Sequence, residues 1–318
     1  MIDKVMLKYL RGIVKLVRPE QFITGRNWKL FSSKEYANDL IYRCLVKEEP
    51  CMIARFGSTE MTCLVNYLGV IQNNRKWNDF IKGVSIQWWW DPQIINQMQI
   101  WSGFFPRRID KVEQFCELML QDIQQVDILG SWLNEERYFN NELIKAKRIV
   151  LEDLEPFFAT NPWTKALEGK KVLVVHPFAE TIEKQYCKRE LLFENNLLPE
   201  FELKTIKAVQ SVAGSKTEFA DWFEALESMK AEIDRTDYDI CIIGCGAYGF
   251  PLAAHVKRSG KKAIHLAGVT QLLFGIIGSR WEQFIVWPYM NLFNEYWVRP
   301  GGNEKPEGAG KVEGACYW

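Results

Sequence analysis

Two stretches of sequence decide the fold of this 318-residue chain: Ile53–Glu60, with the sequence IARFGSTE, and Ile243–Gly249, with the sequence IGCGAYG. Each follows a short apolar run that is typical of a buried strand, and each opens onto a segment with helical periodicity. In an open α/β sheet, ligands bind at the carboxyl ends of the strands. Both stretches are therefore predicted to line one shared crevice.

Strand and helix patterns alternate on both sides of these stretches. The predicted strands are residues 51–56, 126–130, 148–151, 171–176, 202–206, 239–243 and 262–266, and the predicted helices are 34–47, 60–67, 112–124, 180–195, 218–233 and 250–258. Ser215 and Glu218 have capping-box spacing before the fifth of these helices. Alternation at this pace predicts an α/β fold with a Rossmann-like, mostly parallel sheet flanked by helices.

The chain divides into three predicted parts. Residues 1–30 form an N-terminal amphipathic helix and a connector, residues 31–298 a single α/β domain, and residues 299–318 a flexible Gly/Pro-rich tail. The tail has the composition of a mobile chain end, since it combines glycine, proline and charge.

The N-terminal helix is predicted over residues 3–18, with Asp3 as its N-cap and Pro19 as its stop. Five cations fall on one stripe of this helix: Lys4, Lys8, Arg11, Lys15 and Arg18. One interpretation is a surface helix that packs on the core by its apolar side and leaves the basic edge in water. The other is a helix that lies on an anionic membrane surface, which would give the protein a peripheral membrane contact.

Composition excludes several classes of protein. Lys and Arg together number 40, as do Asp and Glu, and this zero net charge disfavours a general nucleic-acid coat. The eight cysteines form no C-x-x-C pair and no Cys/His cluster, which disfavours a disulfide scaffold or a zinc ribbon. No apolar run approaches the length of a membrane span, and the N-terminus lacks the pattern of a signal peptide. We therefore expect a cytoplasmic protein with no nucleic-acid partner.

Gly244, Gly246 and Gly249 follow the predicted strand 239–243 and precede a helix whose first turn contains Pro251. Such a turn lets backbone N–H groups and a helix N-terminus face a phosphate. The alternative is that the glycines only allow close packing of the helix on the strand. A dehydrogenase or an S-adenosylmethionine-dependent enzyme would want an acidic residue at the end of the next strand, and residues 262–268 contain none.

The first stretch places Arg55 at a strand end, Gly57 in the turn and Glu60 at the start of the following helix, with Ser58 or Thr59 as its cap. An arginine at a strand end can hold a phosphate or carboxylate by two hydrogen bonds. A neighbouring carboxylate can bind a cation, orient a sugar hydroxyl or act as a base. The alternative is that Glu60 only complements the helix dipole and pairs with Arg55.

Other candidates follow other predicted strands. His176 ends the strand 171–176, where it could contact a phosphate or act as a base, or serve only as a structural hydrogen-bonding group. Gln210 and Ser211 follow the strand 202–206 and could line the same crevice. Trp101 and the run Trp88–Trp90 offer flat apolar faces on which a sugar ring can stack.

These residues carry a family resemblance. The stretch ARFGSTE resembles the Arg-Phe-Gly-Asp-Gly-Glu signature of the GT-D type bacterial glycosyltransferases, and IIGCGAYGFPLAAHVKRSGKKAIHLAG is similar to that family's C-terminal strand, Gly-rich turn, helix and strand. The resemblance covers roughly residues 30 to 295, with two specific blocks. It implies a Rossmann-like nucleotide-sugar fold and transfer of a sugar from a nucleotide-sugar donor in surface-polysaccharide or glycoprotein biosynthesis.

The resemblance also implies roles for individual residues. Arg55, Gly57 and Glu60 fall on the family's Arg, Gly and retained Glu, so that Glu60 would be the catalytic residue and a ligand to a divalent cation, Mn²⁺ or Mg²⁺. Ser58 falls on the family's metal-binding Asp, and a hard cation would lose one of its two charged ligands there. The bound partners implied are a nucleotide sugar and a glycan, glycolipid or glycoprotein acceptor. The alternative function is a non-catalytic nucleotide-sugar-binding protein of the same pathway.

Overall fold

A computed structural model describes residues 3–19, 32–72, 75–282 and 289–318. The predicted connector of residues 20–30 lies outside the described residues. Seven strands form one sheet: β1 Cys51–Ala54, β2 Ile128–Ser131, β3 Lys147–Val150, β4 Lys171–His176, β5 Glu202–Lys207, β6 Ile240–Ile243 and β7 Lys262–His265. Their order is β3-β2-β1-β7-β6-β4-β5, and every pairing is parallel. The predicted parallel α/β sheet is confirmed.

The strands belong to this sheet because both of its faces are covered. Side chains alternate along each strand, so that Met52 and Ala54 of β1 pack on one apolar layer and Cys51 and Ile53 on the other. All four residues of β1 and of β6 are buried, which explains why both strands are continuous apolar runs in the sequence.

Helices flank the sheet. Among the described residues they are α1 Lys4–Val17, α2 Lys34–Val46, α3 Ser58–Ile71, α4 Trp77–Ile81, α5 Pro92–Ile100, α6 Ile109–Ile123, α7 Ala179–Tyr186, α8 Arg189–Leu192, α9 Trp222–Arg235, α10 Gly249–Arg258 and α11 Thr270–Leu273. Within these described ranges, no helix is long and apolar enough to cross a membrane.

Several helix boundaries differ from the sequence expectation, and two of these differences change its interpretation. The helix predicted from residue 218 begins at Trp222, because Asp221 is its N-cap and accepts hydrogen bonds from the Phe223 and Glu224 N–H groups. The predicted capping box of Ser215 and Glu218 is therefore wrong. The segment predicted as one helix over 180–195 is split into α7 and α8.

The strand order creates a switch point between β4 and β6. From β4 the chain moves outward to β5, and from β6 it moves in the opposite direction to β7. Connections that leave neighbouring strands in opposite directions open a crevice at their carboxyl ends. His176 ends β4 and Gly244 follows β6, so both lie at this crevice.

Helix α1 docks through Leu7, its one buried residue, which packs with Phe80 and Trp89, and through two of its five predicted cations. Arg11 donates hydrogen bonds to the Phe80 and Ser85 carbonyls at 2.7 and 3.0 Å and lies over the Phe80 ring. Lys8 forms an ion pair with Asp91 at 2.6 Å. The apolar residues Val5, Met6, Tyr9, Ile13, Leu16 and Val17 are exposed. Most apolar residues of α1 are therefore exposed, and its docking combines Leu7 with the predicted basic residues Lys8 and Arg11.

The segment from residue 299 to 318, predicted from its composition as a flexible tail, lies against the body of the protein. Ala309, Val312 and Trp318 are buried and belong to the apolar layer that also contains Ile53, and Cys316 is buried as well. Glu304 is buried as well and accepts hydrogen bonds from the Thr181 side chain and backbone. The apolar residues interspersed among the glycines supply these anchors.

Candidate active site

A cavity of about 400 Å³ opens at the carboxyl edge of the sheet. Six strands contribute the residue at or just after their ends: Arg55 from β1, Trp132 from β2, His176 from β4, Val209 from β5, Gly244 from β6 and His265 from β7. The two stretches that decide the fold thus meet in one crevice, as their strand-end positions predicted.

Arg55 lies half-buried in the wall of this cavity, with its guanidinium 4.9 Å from the centre of the Trp132 ring. Among the residues that the structure describes, its side chain makes no hydrogen bond and no ion pair, not even with Glu60. Burial lowers the pKa of Arg55, and the neighbouring Tyr317 and Glu60 oppose this shift. A cation buried without a partner is costly, so this site is built to receive an anion.

Glu60 lies in the first turn of α3 and folds back over Gly57, the N-cap residue. A Cβ atom on Gly57 would lie 1.8 Å from Glu60 Oε2, so the carboxylate occupies the space that any larger residue would fill. The predicted cap by Ser58 or Thr59 is wrong, because both are inside the helix and Gly57 makes no side-chain cap. The first N–H groups of α3 therefore have no intrahelical acceptor at this edge of the cavity.

Two N–H groups of the Gly-rich turn already have hydrogen-bond acceptors within the protein. Gly244 donates to the Val175 carbonyl at 3.0 Å, and Ala247 donates to the Ser102 carbonyl at 3.3 Å. For the N–H groups of Cys245 and Gly246, the described residues provide no acceptor. Gly246 has a φ of +54°, which favours glycine. The turn thus offers two donors to a ligand, fewer than a wholly open turn would.

Two neutral histidines line the cavity, and the free ring nitrogen is a hydrogen-bond donor in one and an acceptor in the other. His176 Nδ1 accepts from the Phe178 N–H at 3.0 Å, so its proton is assigned to Nε2. His265 Nδ1 lies 3.3 Å from the Ile243 carbonyl, so its Nε2 is assigned as an acceptor. The pKa of each is lowered to about 3, by burial alone for His176 and by burial together with the charge of Arg55 for His265.

Several lining residues carried little or no signal in the sequence. Trp132 follows a predicted strand, so its position at the carboxyl edge could have been inferred. Gln271, Arg280, Glu313 and Tyr317 line the cavity from a part of the chain without a recognisable motif. Only the folding of the C-terminal segment onto the sheet edge brings them there.

Other sequence candidates have different positions. Trp101, Gln210 and Ser211 line the cavity, as does Thr59 beside Glu60. Gly249 backs the site instead, because a Cβ there would lie 2.2 Å from Cε1 of His265. The run Trp88–Trp90 lies elsewhere: Trp88 and Trp89 pack with Phe80 beneath α1, and Trp90 donates to Glu113.

The described lining residues do not fit a divalent cation. Among them Glu60 is the one carboxylate outside an ion pair, since Glu313 pairs with Arg280, and Ser58 stands where a second carboxylate would be needed. In the described part of the chain, no group of three His, Cys, Asp or Glu side chains could hold a metal ion. Hard cations need several oxygen ligands, so positive charge here comes from arginine.

Two solved structures are similar to this chain, each at a TM-score of 0.38. A selenomethionine-substituted structure of domain of unknown function 1792 has 11% identity and matches 84% of this chain and 96% of its own. The other, described as the highly conserved domain of unknown function 1792 with a distinct glycosyltransferase fold, has 12% identity and matches 86% and 96%.

No family model matches this chain, and no curated protein matches it. Structural similarity at 11–12% identity and a TM-score of 0.38 carries no argument about chemistry. The chemistry of the site is therefore inferred from the residues that line the cavity.

Proposed function

We propose that this protein binds a nucleotide-activated sugar in the cavity and transfers the sugar to an acceptor. The observation that carries the proposal is the half-buried Arg55 guanidinium, which makes no hydrogen bond or ion pair with the described residues and shares the cavity with the N-terminus of α3 and the Gly244–Gly246 turn. A diphosphate satisfies all three features, because it offers charge to the guanidinium and acceptor oxygens to the N–H groups.

In this arrangement the leaving group is stabilised by fixed positive charge. Arg55 and the backbone N–H groups of Cys245 and Gly246 would neutralise the charge that grows on the departing nucleoside diphosphate. His176 would donate through Nε2–H. Glu60 would orient the sugar or take the acceptor's proton. A divalent cation would add further charge neutralisation when bound, but the described residues do not fit one, and no step here depends on it.

The second candidate function is nucleotide-sugar binding without transfer. Ser58 in place of a carboxylate favours it, because Glu60 is left as the single unpaired carboxylate among the described lining residues. The third, a dehydrogenase or methyltransferase, is disfavoured because β7 ends at His265, where either cofactor would want an acid.

Isothermal titration separates these candidates. UDP, UDP-sugars, NAD and S-adenosylmethionine are titrated, and release of nucleoside diphosphate is then measured for any sugar nucleotide that binds. Binding with release supports transfer, binding alone supports the second candidate, and binding of only NAD or S-adenosylmethionine supports the third.

Arg55→Gln tests the anion site directly. We expect it to weaken binding of the nucleoside diphosphate by about tenfold or more, the usual consequence of losing a charged hydrogen-bond donor. The melting temperature should fall little, because Arg55 makes no hydrogen bond or ion pair with the described residues and loses only its contact with the Trp132 ring. Arg43→Gln is the matched control, since Arg43 forms an exposed pair with Asp39 on α2. Unchanged binding in Arg55→Gln would contradict the proposal.

We also propose that the acceptor is a glycan, glycolipid or glycoprotein of a surface-polysaccharide or glycoprotein pathway, and that a lipid-borne acceptor is reached by a peripheral membrane contact. The exposed apolar face of α1, with the exposed cations Lys4 and Lys15 on the same helix, supports this contact.

A further inference from the structure

The loop after β7 brings a second arginine to the cavity, and the C-terminal segment of residues 299–318 brings its counter-ion. Arg280 forms an ion pair with Glu313, lies over the Tyr317 ring at 4.9 Å and donates to the Tyr317 hydroxyl at 3.4 Å. All three residues line the cavity, as does Arg55. The Arg280 charge contributes to lowering the pKa of Arg55.

The Arg280–Glu313 pair is weak enough to exchange. The side chains of Arg280 and Glu313 are 36% and 48% exposed, and an ion pair this exposed gains little over water. A diphosphate carries more charge than one carboxylate and offers more oxygens, so it can replace Glu313 on the Arg280 fork.

The backbone that carries Glu313 is held in an uncommon conformation. Glu313, Gly314 and Ala315 have φ values of +46°, +70° and +65°, a region that residues other than glycine rarely adopt. Hydrogen bonds from Arg280 N to Cys316 O and from Ser279 Oγ to Ala315 O, both at 3.0 Å, fix this turn. Strain of this kind concentrates where a side chain must be presented to a site.

Two glycines make room for the same turn. A Cβ on Gly268 would lie 2.5 Å from Cε1 of Tyr317, and one on Gly278 would lie 2.7 Å from the Cys316 carbonyl oxygen. The close approach of residues 313–317 to the cavity is therefore built into the loop after β7. Glu313 is positioned over the site by packing on both sides.

We propose that Arg280 is a second anion-binding residue, which clamps the diphosphate together with Arg55, and that Glu313 is an internal competitor that holds Arg280 until the ligand displaces it. This inference rests on the proposed function, because the diphosphate belongs to the nucleotide sugar. It adds Arg280, from the loop after β7, to the binding machinery and assigns a role to the carboxylate of Glu313 beside it.

The test is titration of UDP into the full chain and four variants. Arg280→Gln should bind about tenfold more weakly, since one charged donor is lost. Glu313→Gln should bind about threefold to tenfold more tightly, since the competitor for Arg280 is gone. Glu282→Gln, which breaks the comparably exposed Arg299–Glu282 pair, is the matched control and should bind as wild type does. Arg280→Lys should fall between wild type and Arg280→Gln.

The double variant Arg280→Gln/Glu313→Gln separates competition from general repulsion. If Glu313 acts by occupying Arg280, its removal has no effect once Arg280 is gone. If Glu313→Gln tightens binding equally in both backgrounds, or does not tighten it in wild type, the inference is overturned. The same series is run with inorganic pyrophosphate. If wild type does not bind UDP, the proposed function is wrong. The pyrophosphate titrations then still test whether Arg280 binds a diphosphate and whether Glu313 competes for it.

Discussion

At the scale of single residues, the site depends on how Gly57 and Glu60 share one space. Glycine at position 57 leaves room for the Glu60 carboxylate, which makes no hydrogen bond and no ion pair with the residues that the structure describes. A carboxylate held by packing alone contributes little to stability. It remains available to a ligand, which is the property that a catalytic or sugar-orienting residue needs.

Gly57→Ala is expected to remove activity with little change in stability. The new Cβ would lie 1.8 Å from Glu60 Oε2, and the flexible carboxylate would rotate away while the backbone stays in place. Release of nucleoside diphosphate should fall as far as in Glu60→Gln, and the melting temperature of both variants should change little. Gly12→Ala, at a position with open space around it, is the control. A Glu60→Gln variant that is active but unstable would make Glu60 a structural residue.

The two cavity histidines link the site to pH. His265 has a pKa near 3 in the fold and about 6.5 in the unfolded chain, so the unfolded chain binds the extra proton between these values. The stability contributed by the neutral ring is complete above about pH 6.5 and is lost as the pH falls toward 3. Burial raises the pKa of Glu155 to about 8 and that of Asp122 to about 6, and these act with the opposite sign.

His265→Gln isolates this contribution. Urea unfolding at several values between about pH 6 and 4 should show that the wild-type free energy of unfolding falls more steeply on acidification than that of the variant, by about 1.4 kcal/mol per pH unit. Parallel pH profiles would mean that His265 is protonated in the folded protein, and its assignment as a neutral acceptor would then be wrong.

At the scale of elements, α1 shows that the pattern of a helix does not determine which of its side chains contact the protein. The five-cation stripe predicted a solvated basic edge, but Lys8 and Arg11 contact Asp91 and the backbone around Phe80. Arginine can dock in this way because its fork satisfies two carbonyls at once. The apolar face is left exposed, and any membrane contact would depend mainly on that face.

Flotation with vesicles tests this contact. Wild type should float with anionic vesicles at low salt, and a Val5→Gln/Leu16→Gln variant should stay in solution because it loses exposed apolar area. A Lys4→Gln/Lys15→Gln variant should float less well at low salt, since each cation near the leaflet contributes about 1 kcal/mol. Wild type that never floats would defeat the membrane proposal, and α1 would be only a surface helix.

At the scale of the whole molecule, the C-terminal segment completes both the apolar layer and the cavity. Trp318 is 8% exposed, donates to the Glu304 carbonyl at 3.2 Å and packs against Phe178. Its ring also lines the cavity. A segment with the composition of a loose end therefore packs like part of the folded domain.

Trp318→Ala should destabilise the protein by about 3 kcal/mol, the usual cost of truncating a buried tryptophan. It should also weaken UDP binding, because Trp318 lines the cavity. Trp77→Ala is the control, since Trp77 is 47% exposed. An unchanged melting temperature in Trp318→Ala would mean that the segment is the flexible tail that its composition predicts.

The sequence by itself determined the sheet and the two blocks of the site. All seven strands were predicted close to their observed positions, because a parallel strand that is buried on both faces is a short, continuous apolar run. The shared crevice followed from the same reasoning, since the carboxyl ends of parallel strands meet at one edge. Apolar runs and strand ends are features of short stretches of sequence, so they can be recognised without knowledge of the fold.

Only the tertiary structure decided which side of α1 faces the protein, which glycines make room for other side chains, and how Arg280 and Glu313 reach the cavity. Each of these depends on contacts between residues far apart in the chain, such as Arg11 with Phe80 or Gly268 with Tyr317. The free energy of such contacts depends on shape and burial in the folded state, and no periodicity or spacing in a single sequence records those quantities.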